Sequence, residues 1–184
     1  MSDRIEQVLR DCDAFDEALR TLKTREKSER EKAKIQEKKI FRQLNQSLDA
    51  MRKEFMESLE NSSLSKISAL ELVETARALG RYLSYHIKTN KIRRFLDALR
   101  KIQVSPSYSP GEVALIRPYL AYAVGRSDGD EGESMRKFME FFDPIFKRIS
   151  SLEDDKESRK EFDTALRFME AVMAYHKFYG GKES

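Results

Sequence analysis

Two stretches of the sequence concentrate side chains that could do chemistry, and that chemistry is the holding of anions. The first carries Lys88, Lys91, Arg93, Arg94, Arg100 and Lys101, with Asp97 alone of the opposite sign among them. At 100° per residue, Arg93, Arg94, Arg100 and Lys101 fall on one helix face, opposite Ile92, Phe95, Leu96, Leu99 and Ile102. Four cations around one anion are more than solvation of a face requires. A phosphate backbone suits a row of cations next to a helix start, whose free N–H groups favour anionic oxygen. A solvated basic face with no ligand has the same pattern, so spacing alone leaves both readings open. The second stretch is RPYLAYAVGR (117–126), bracketed by Arg117 and Arg126. Those two arginines suit phosphate or exposed ion pairs equally well. Tyr119 and Tyr122 lie three apart. They could stack on bases, but aromatic residues at helical spacing are expected in a core.

Other reactive residue types are sparse. His86 and His176 are the two histidines. His176 follows Met173 on an apolar stripe and reads as a packed histidine with one hydrogen bond. His86 ends a helix, where a cation would offset the dipole. Neither sits in an HExxH-type ligand set. Asp128, Asp130 and Glu133 resemble a fragment of a calcium loop whose other ligands are missing, so no metal is expected. Cys12, the single cysteine, excludes an internal disulfide framework and a cysteine zinc site. It lies on an apolar seam and reads as buried and inert. With no GxSxG, no Walker loop and no paired-carboxylate signature, the chain reads as a non-enzyme without cofactors.

The elements that must position these residues are helical. The 184 residues include only 7 Gly and 4 Pro, and the first glycine is Gly80. A nucleotide-binding α/β fold needs more glycine turns than that. Charged residues make up 36% of the chain, and no run approaches the ~18 apolar residues that would cross a bilayer. The first residues contain no apolar signal core, so a cytoplasmic protein without a membrane segment is expected. The net charge of +3 conceals an asymmetry. Residues 1–60 are balanced, 61–127 carry 11 cations and 4 anions, and 128–184 carry 10 cations and 14 anions. The basic middle calls for an anionic partner.

Ile5, Val8, Cys12, Phe15, Leu19 and Leu22 form a narrow apolar seam, which is lost where 12 of the 17 residues in 23–39 are charged. A second stripe runs through Ile40, Phe41, Leu44, Leu48, Met51, Phe55 and Leu59. The pattern allows one long helix or two helices joined by a tight turn within 23–34. Ser68 with Glu71 is a capping box opening a helix to about residue 85, with Leu72, Ala76, Leu79 and Leu83 inward and Arg77 and Arg81 outward. Thr89 is the expected N-cap of a helix over 90–102. Ser109-Pro110 opens another, running to about 124 and disturbed at Pro118. The segment 125–132 reads as an acidic, glycine-rich loop. Met135, Phe138, Phe142, Ile145 and Ile149 form the next stripe, with a kink or restart expected at Asp143-Pro144. The last helix spans 156–179, buries Phe162, Leu166, Met169 and Met173, and stops at Gly180-Gly181. The expected fold is all-α: a long charged N-terminal helical extension (1–61) and a compact bundle of about five helices (62–184).

Three blocks carry a family resemblance: ETARALGRYLSYHIKTNKIRRFLDALRKIQ (74–103), IRPYLAYAVGR (116–126) and FMEAVMAYHKFYGGK (168–182). In this order they resemble the small subunit of the type III-A CRISPR effector, the Csm complex, and AYHKFYGGK (174–182) is the most specific. The resemblance implies a helical bundle without catalysis of its own. It implies several copies stacked in a minor filament along the guide–target duplex, helping to retain target RNA in antiviral defence. Cleavage of target RNA would belong to the backbone subunit. DNA cleavage and cyclic oligoadenylate synthesis would belong to the large subunit. The implied partners are guide RNA, target RNA, the backbone and large subunits, and further copies of the chain.

Carried over by position, the resemblance puts Lys88, Lys91, Arg93 and Arg94 of KTNKIRR on the nucleic-acid side and makes Arg117 and Arg126 plausible contacts. Residues 1–60 are longer and more charged than the family usually has there. They could reach a neighbouring copy or exchange between two chains into a homodimer when the protein is isolated. The competing reading is a helical self-association scaffold without RNA binding, in which residues 1–60 do the work.

Overall fold

The computed structural model describes residues 2–24 and 29–183. Among the described residues there are eight α-helices and one 3-10 turn, without a strand. The chain divides into two compact units, Met1–Glu60 and Asn61–Ser184.

The first unit consists of α1 (Asp3–Thr24) and most of α2 (Arg30–Asn61). Of the two arrangements open from sequence, the two-helix one is observed. The turn expected within 23–34 includes residues 25–28, which lie outside the described residues. Ser2 Oγ donates to Glu54 at 2.9 Å, and Phe15 meets Phe41 at 5.2 Å between ring centroids, so the helices run antiparallel. In one straight helix, residues 2 and 54 would stand about 78 Å apart. The two apolar stripes face each other, with Ile5, Val8, Cys12 and Phe15 buried from α1 and Leu44, Leu48, Met51 and Phe55 from α2. Asp11 is buried in this seam and accepts from Gln7, Gln43 and Ser47, so its desolvated carboxylate is hydrogen-bonded.

The second unit opens with the 3-10 turn Leu64–Lys66, whose Leu64 and Ser65 N–H groups donate to the buried Glu161 carboxylate at 2.7 and 3.0 Å. Six helices follow: α3 (Ala69–Ser84), α4 (Thr89–Val104), α5 (Pro110–Ala114), α6 (Ile116–Gly125), α7 (Gly129–Ser150) and α8 (Asp155–Phe178). The sequence suggested about five, and the extra one has a local cause. At Pro118 the missing N–H and the ring both act against the carbonyl four residues earlier, Ala114. The predicted helix breaks there into α5 and α6, and Pro118 lies in the first turn of α6, where an N–H is dispensable.

Other expectations are corrected in detail. The acidic segment 125–132 is mostly helix: α7 begins at Gly129, where Asp130 and Glu131 lie in its first turn. Gly129 itself has φ +57°. Asp143-Pro144 does not divide α7, which continues to Ser150. Ser68 caps α3 as expected, its Oγ accepting from Glu71 N at 3.1 Å, which is the serine half of the capping box. Leu72 and Met173 are only half-buried. Arg77 and Arg81 do not simply face water: Arg77 Nε donates to Tyr179 Oη at 3.0 Å, and the Arg81 guanidinium lies 5.1 Å from the Tyr179 ring centroid.

The core of this unit is aromatic, with Phe138, Phe142, Phe146 and Phe168 in contact between α7 and α8. The α8 C-terminus is a Schellman motif. Gly181 N donates to His176 O and Gly180 N to Lys177 O, with Gly180 at φ +87°, a conformation glycine adopts without strain.

Candidate nucleic-acid interface

Helix α4 carries the basic face because its other face is consumed by the core. Ile92, Phe95, Leu96 and Leu99 are buried, whereas Arg93, Arg94, Asp97, Arg100 and Lys101 are exposed. Lys88 is exposed and stands at the N-cap. Thr89 was the expected cap. Its side chain instead turns inward, donating to Gly181 O at 3.2 Å, while its N–H donates to Lys182 O at 2.7 Å. That N–H is therefore not available to an anion. The start of α4 is tied instead to the Gly-Gly-Lys tail of the chain.

His176 completes the tie. It is fully buried, and its Nε2 donates to Ile87 O at 2.9 Å, which makes the Nε2–H tautomer the neutral form present. Burial pushes its pKa below 6.5, against the opposing pull of the Ile87 carbonyl. Burial also lowers the pKa of His86, so the expected cation at the end of α3 is a neutral ring at pH 7. The sign of the linkage follows. Between the depressed folded values and 6.5, the unfolded chain binds more protons, so stability is full above 6.5 and is lost as pH falls through that window. Denaturant titrations at pH 7.5 and pH 5.5 are expected to show lower stability at 5.5. H176Q, which keeps a donor for Ile87 O, is expected to reduce the difference, leaving the His86 contribution. Equal wild-type stability at both pH values would contradict this account.

The eight basic residues singled out from sequence fall into two sets. Three have carboxylate partners. Lys91 Nζ lies 3.0 Å from Glu131 and donates to Ser127 Oγ at 2.8 Å. Arg100 pairs with Glu170 at 2.9 Å. Arg117 forms a bidentate pair with Asp143, at 2.7 Å through Nε and 3.1 Å through Nη2, and that bond raises its pKa. The other five, Lys88, Arg93, Arg94, Lys101 and Arg126, have no carboxylate within ion-pair distance among the described residues.

The structure also joins the two sequence stretches. Residues 91, 94 and 95 of α4, 119 and 122 of α6, and Arg126 at the C-cap of α6 line one cleft of about 190 Å³. Lys91 and Arg94 lie three apart on one helix, as do Tyr119 and Tyr122 on the other, so each pair shares a face. The tyrosines are not core residues: Tyr122 is 60% exposed and Tyr119 36%, with part of the Tyr119 ring resting on Phe95 at 4.8 Å. Arg126 Nη1 donates to Tyr122 Oη at 3.1 Å, and its guanidinium lies 5.5 Å from the ring centroid. Helical spacing was compatible with either placement. What exposes the tyrosines is that Ile116 and Leu120 already fill the buried side of this short helix.

Among the described residues, no group of three or more His, Cys, Asp and Glu side chains could hold a metal ion. No helix among them is long and apolar enough to cross a membrane. Compared with known proteins, the chain matches no curated protein. Residues 66–182, which include α4, the cleft and the Gly-Gly tail, match the family model described as Csm2 Type III-A. The chain belongs to that family, the small subunits of the type III-A CRISPR effector.

Proposed function

We propose that this chain is a non-catalytic, cytoplasmic small subunit that contacts guide–target RNA as part of a minor filament in the type III-A effector. Its bundle, residues 62–184, bears the RNA-facing surface. Residues 1–61 serve as a helical extension toward neighbouring copies. The observation that carries the RNA contact is the exposed face of α4, where Arg93, Arg94 and Lys101 form no ion pair among the described residues and stand beside Lys88, with only Arg93 within electrostatic reach of a tail carboxylate, Glu183. Exposed, unpaired cations attract a polyanion without first giving up a partner. Lys91, Arg100 and Arg117 would have to exchange a carboxylate for a phosphate, so they contribute less per residue. Single contacts of this kind are weak and non-specific, and stacked copies add through effective concentration.

The test is affinity purification of the tagged full chain from its native cells, with identification of the co-purifying proteins and sequencing of the bound RNA. The expected result is short guide RNAs together with the backbone and large subunits of the effector. Recovery of the chain alone, as an RNA-free oligomer, would overturn the RNA reading in favour of a self-association scaffold.

A further inference from the structure

We infer that the cleft between α4 and α6 receives one unstacked nucleobase of a single-stranded RNA segment, with Tyr122 as its stacking platform. The inference rests on the RNA reading above and adds a base-binding subsite to it.

Three features of the cleft point to a base. The first is the pairing of side-chain types. Tyr119 and Tyr122 supply aromatic surface, and Arg94 and Arg126, which form no ion pair among the described residues, flank it with positive charge beside the Glu131-paired Lys91. Base stacking on aromatic rings together with cations along the backbone is how single strands are held without sequence readout. The second is preorganisation. The Arg126 guanidinium lies over Tyr122 and bonds its hydroxyl at 3.1 Å, and Tyr119 is supported by Phe95 at 4.8 Å. Both rings are therefore held before a ligand arrives, while Tyr122 keeps 60% of its surface open. The third is size. At about 190 Å³ the cleft is smaller than the ~300 Å³ at which drug-sized pockets begin, and it suits a group as small as one base.

A strand fits better than a free nucleotide because the cleft opens onto the cationic row. Arg94 belongs to both, since it lines the cleft and shares the exposed α4 face with Arg93 and Lys101. A base in the cleft would thus leave its neighbouring phosphates at that face. A base held in a duplex cannot present its face to a tyrosine, so the subsite selects unpaired nucleotides.

The test uses the full chain and a short single-stranded oligoribonucleotide carrying 2-aminopurine, whose emission is quenched on stacking. The expected result is quenching on binding to the wild type and loss of quenching with Y122L. Affinity should fall on the order of 5- to 100-fold in that variant, with the salt slope unchanged. Y122F should restore both quenching and affinity, which separates stacking from a folding defect. Salt-dependent binding with no quenching, or equal affinity for wild type and Y122L, would overturn the base subsite and leave the basic-face reading standing. No binding even at low salt would overturn both. Displacement of the oligonucleotide by micromolar adenosine monophosphate would reveal a free-nucleotide site and overturn the assignment to a strand.

Discussion

Reversing Arg93 and Arg94 together to glutamate is expected to lower the affinity of the full chain for single-stranded RNA by one to two orders of magnitude at moderate salt. The salt dependence should change with it. Each phosphate contact on a single strand contributes ~0.7 to the log–log slope, so losing two should reduce its magnitude by about 1.4. The physical ground is that both guanidinium groups are exposed on α4 and form no ion pair among the described residues, the Arg93 charge acting on the exposed Glu183 only through space, so neither has to give up a bonded partner to meet a phosphate. Buried neighbours do not depend on them, because Ile92, Phe95 and Leu96 point the other way. A matched control is K147E with K156E. It changes the net charge by the same amount, from +3 to −1, at exposed positions outside the proposed face. The control should leave the slope at its wild-type value. Fluorescence titration across a salt series reads both quantities. An unchanged slope for the Arg93/Arg94 double variant would remove α4 from the interface, and an equal loss in the control would reduce the effect to net charge.

The second large effect is on folding. Gly80→Ala is expected to destabilise the bundle by about 2 kcal/mol or more, although alanine is the better helix former by ~1 kcal/mol. A Cβ at Gly80 would stand 2.6 Å from Val172 O and 2.9 Å from His176 N. Both are backbone atoms of α8, which cannot rotate aside as a side chain would. Ala76, one turn earlier, is also small and fully buried, and the approach at Gly80 leaves little between α3 and α8. The packing of the aromatic core on α8, and the tie from His176 to Ile87, both depend on that approach. Thermal unfolding followed by circular dichroism should show a midpoint lower by roughly 5–10 °C. Gly125→Ala is the control: nothing lies within 4 Å of its added Cβ, and it should unfold at or above the wild-type temperature. Wild-type stability for G80A would mean that the helices can separate without cost.

Much of the helical plan was readable because helix formation is governed by near neighbours in sequence. The apolar spacing of α4 and α7, the capping serine at Ser68 and the glycine stop at Gly180-Gly181 each act within a turn or two, and each is observed. The family was also readable, because the blocks at 74–103, 116–126 and 168–182 are contiguous strings that need no fold to be compared. Capping at Thr89 was misread for the complementary reason. Its competing partners, Gly181 and Lys182, lie more than ninety residues away and come close only once α8 has packed on α3.

The sequence by itself determined an all-α chain, a basic middle segment and membership of the small-subunit family. Those properties are sums over local residues, and tertiary contacts do not alter them. Only the tertiary structure decided which of the singled-out cations form ion pairs and which do not. Glu131, Asp143 and Glu170 reach Lys91, Arg117 and Arg100 from other helices, across 40, 26 and 70 residues of chain. It also decided that Tyr119 and Tyr122 face a cleft with Arg94. A helical pattern fixes which residues share a face, but what that face meets depends on the helix packed beside it.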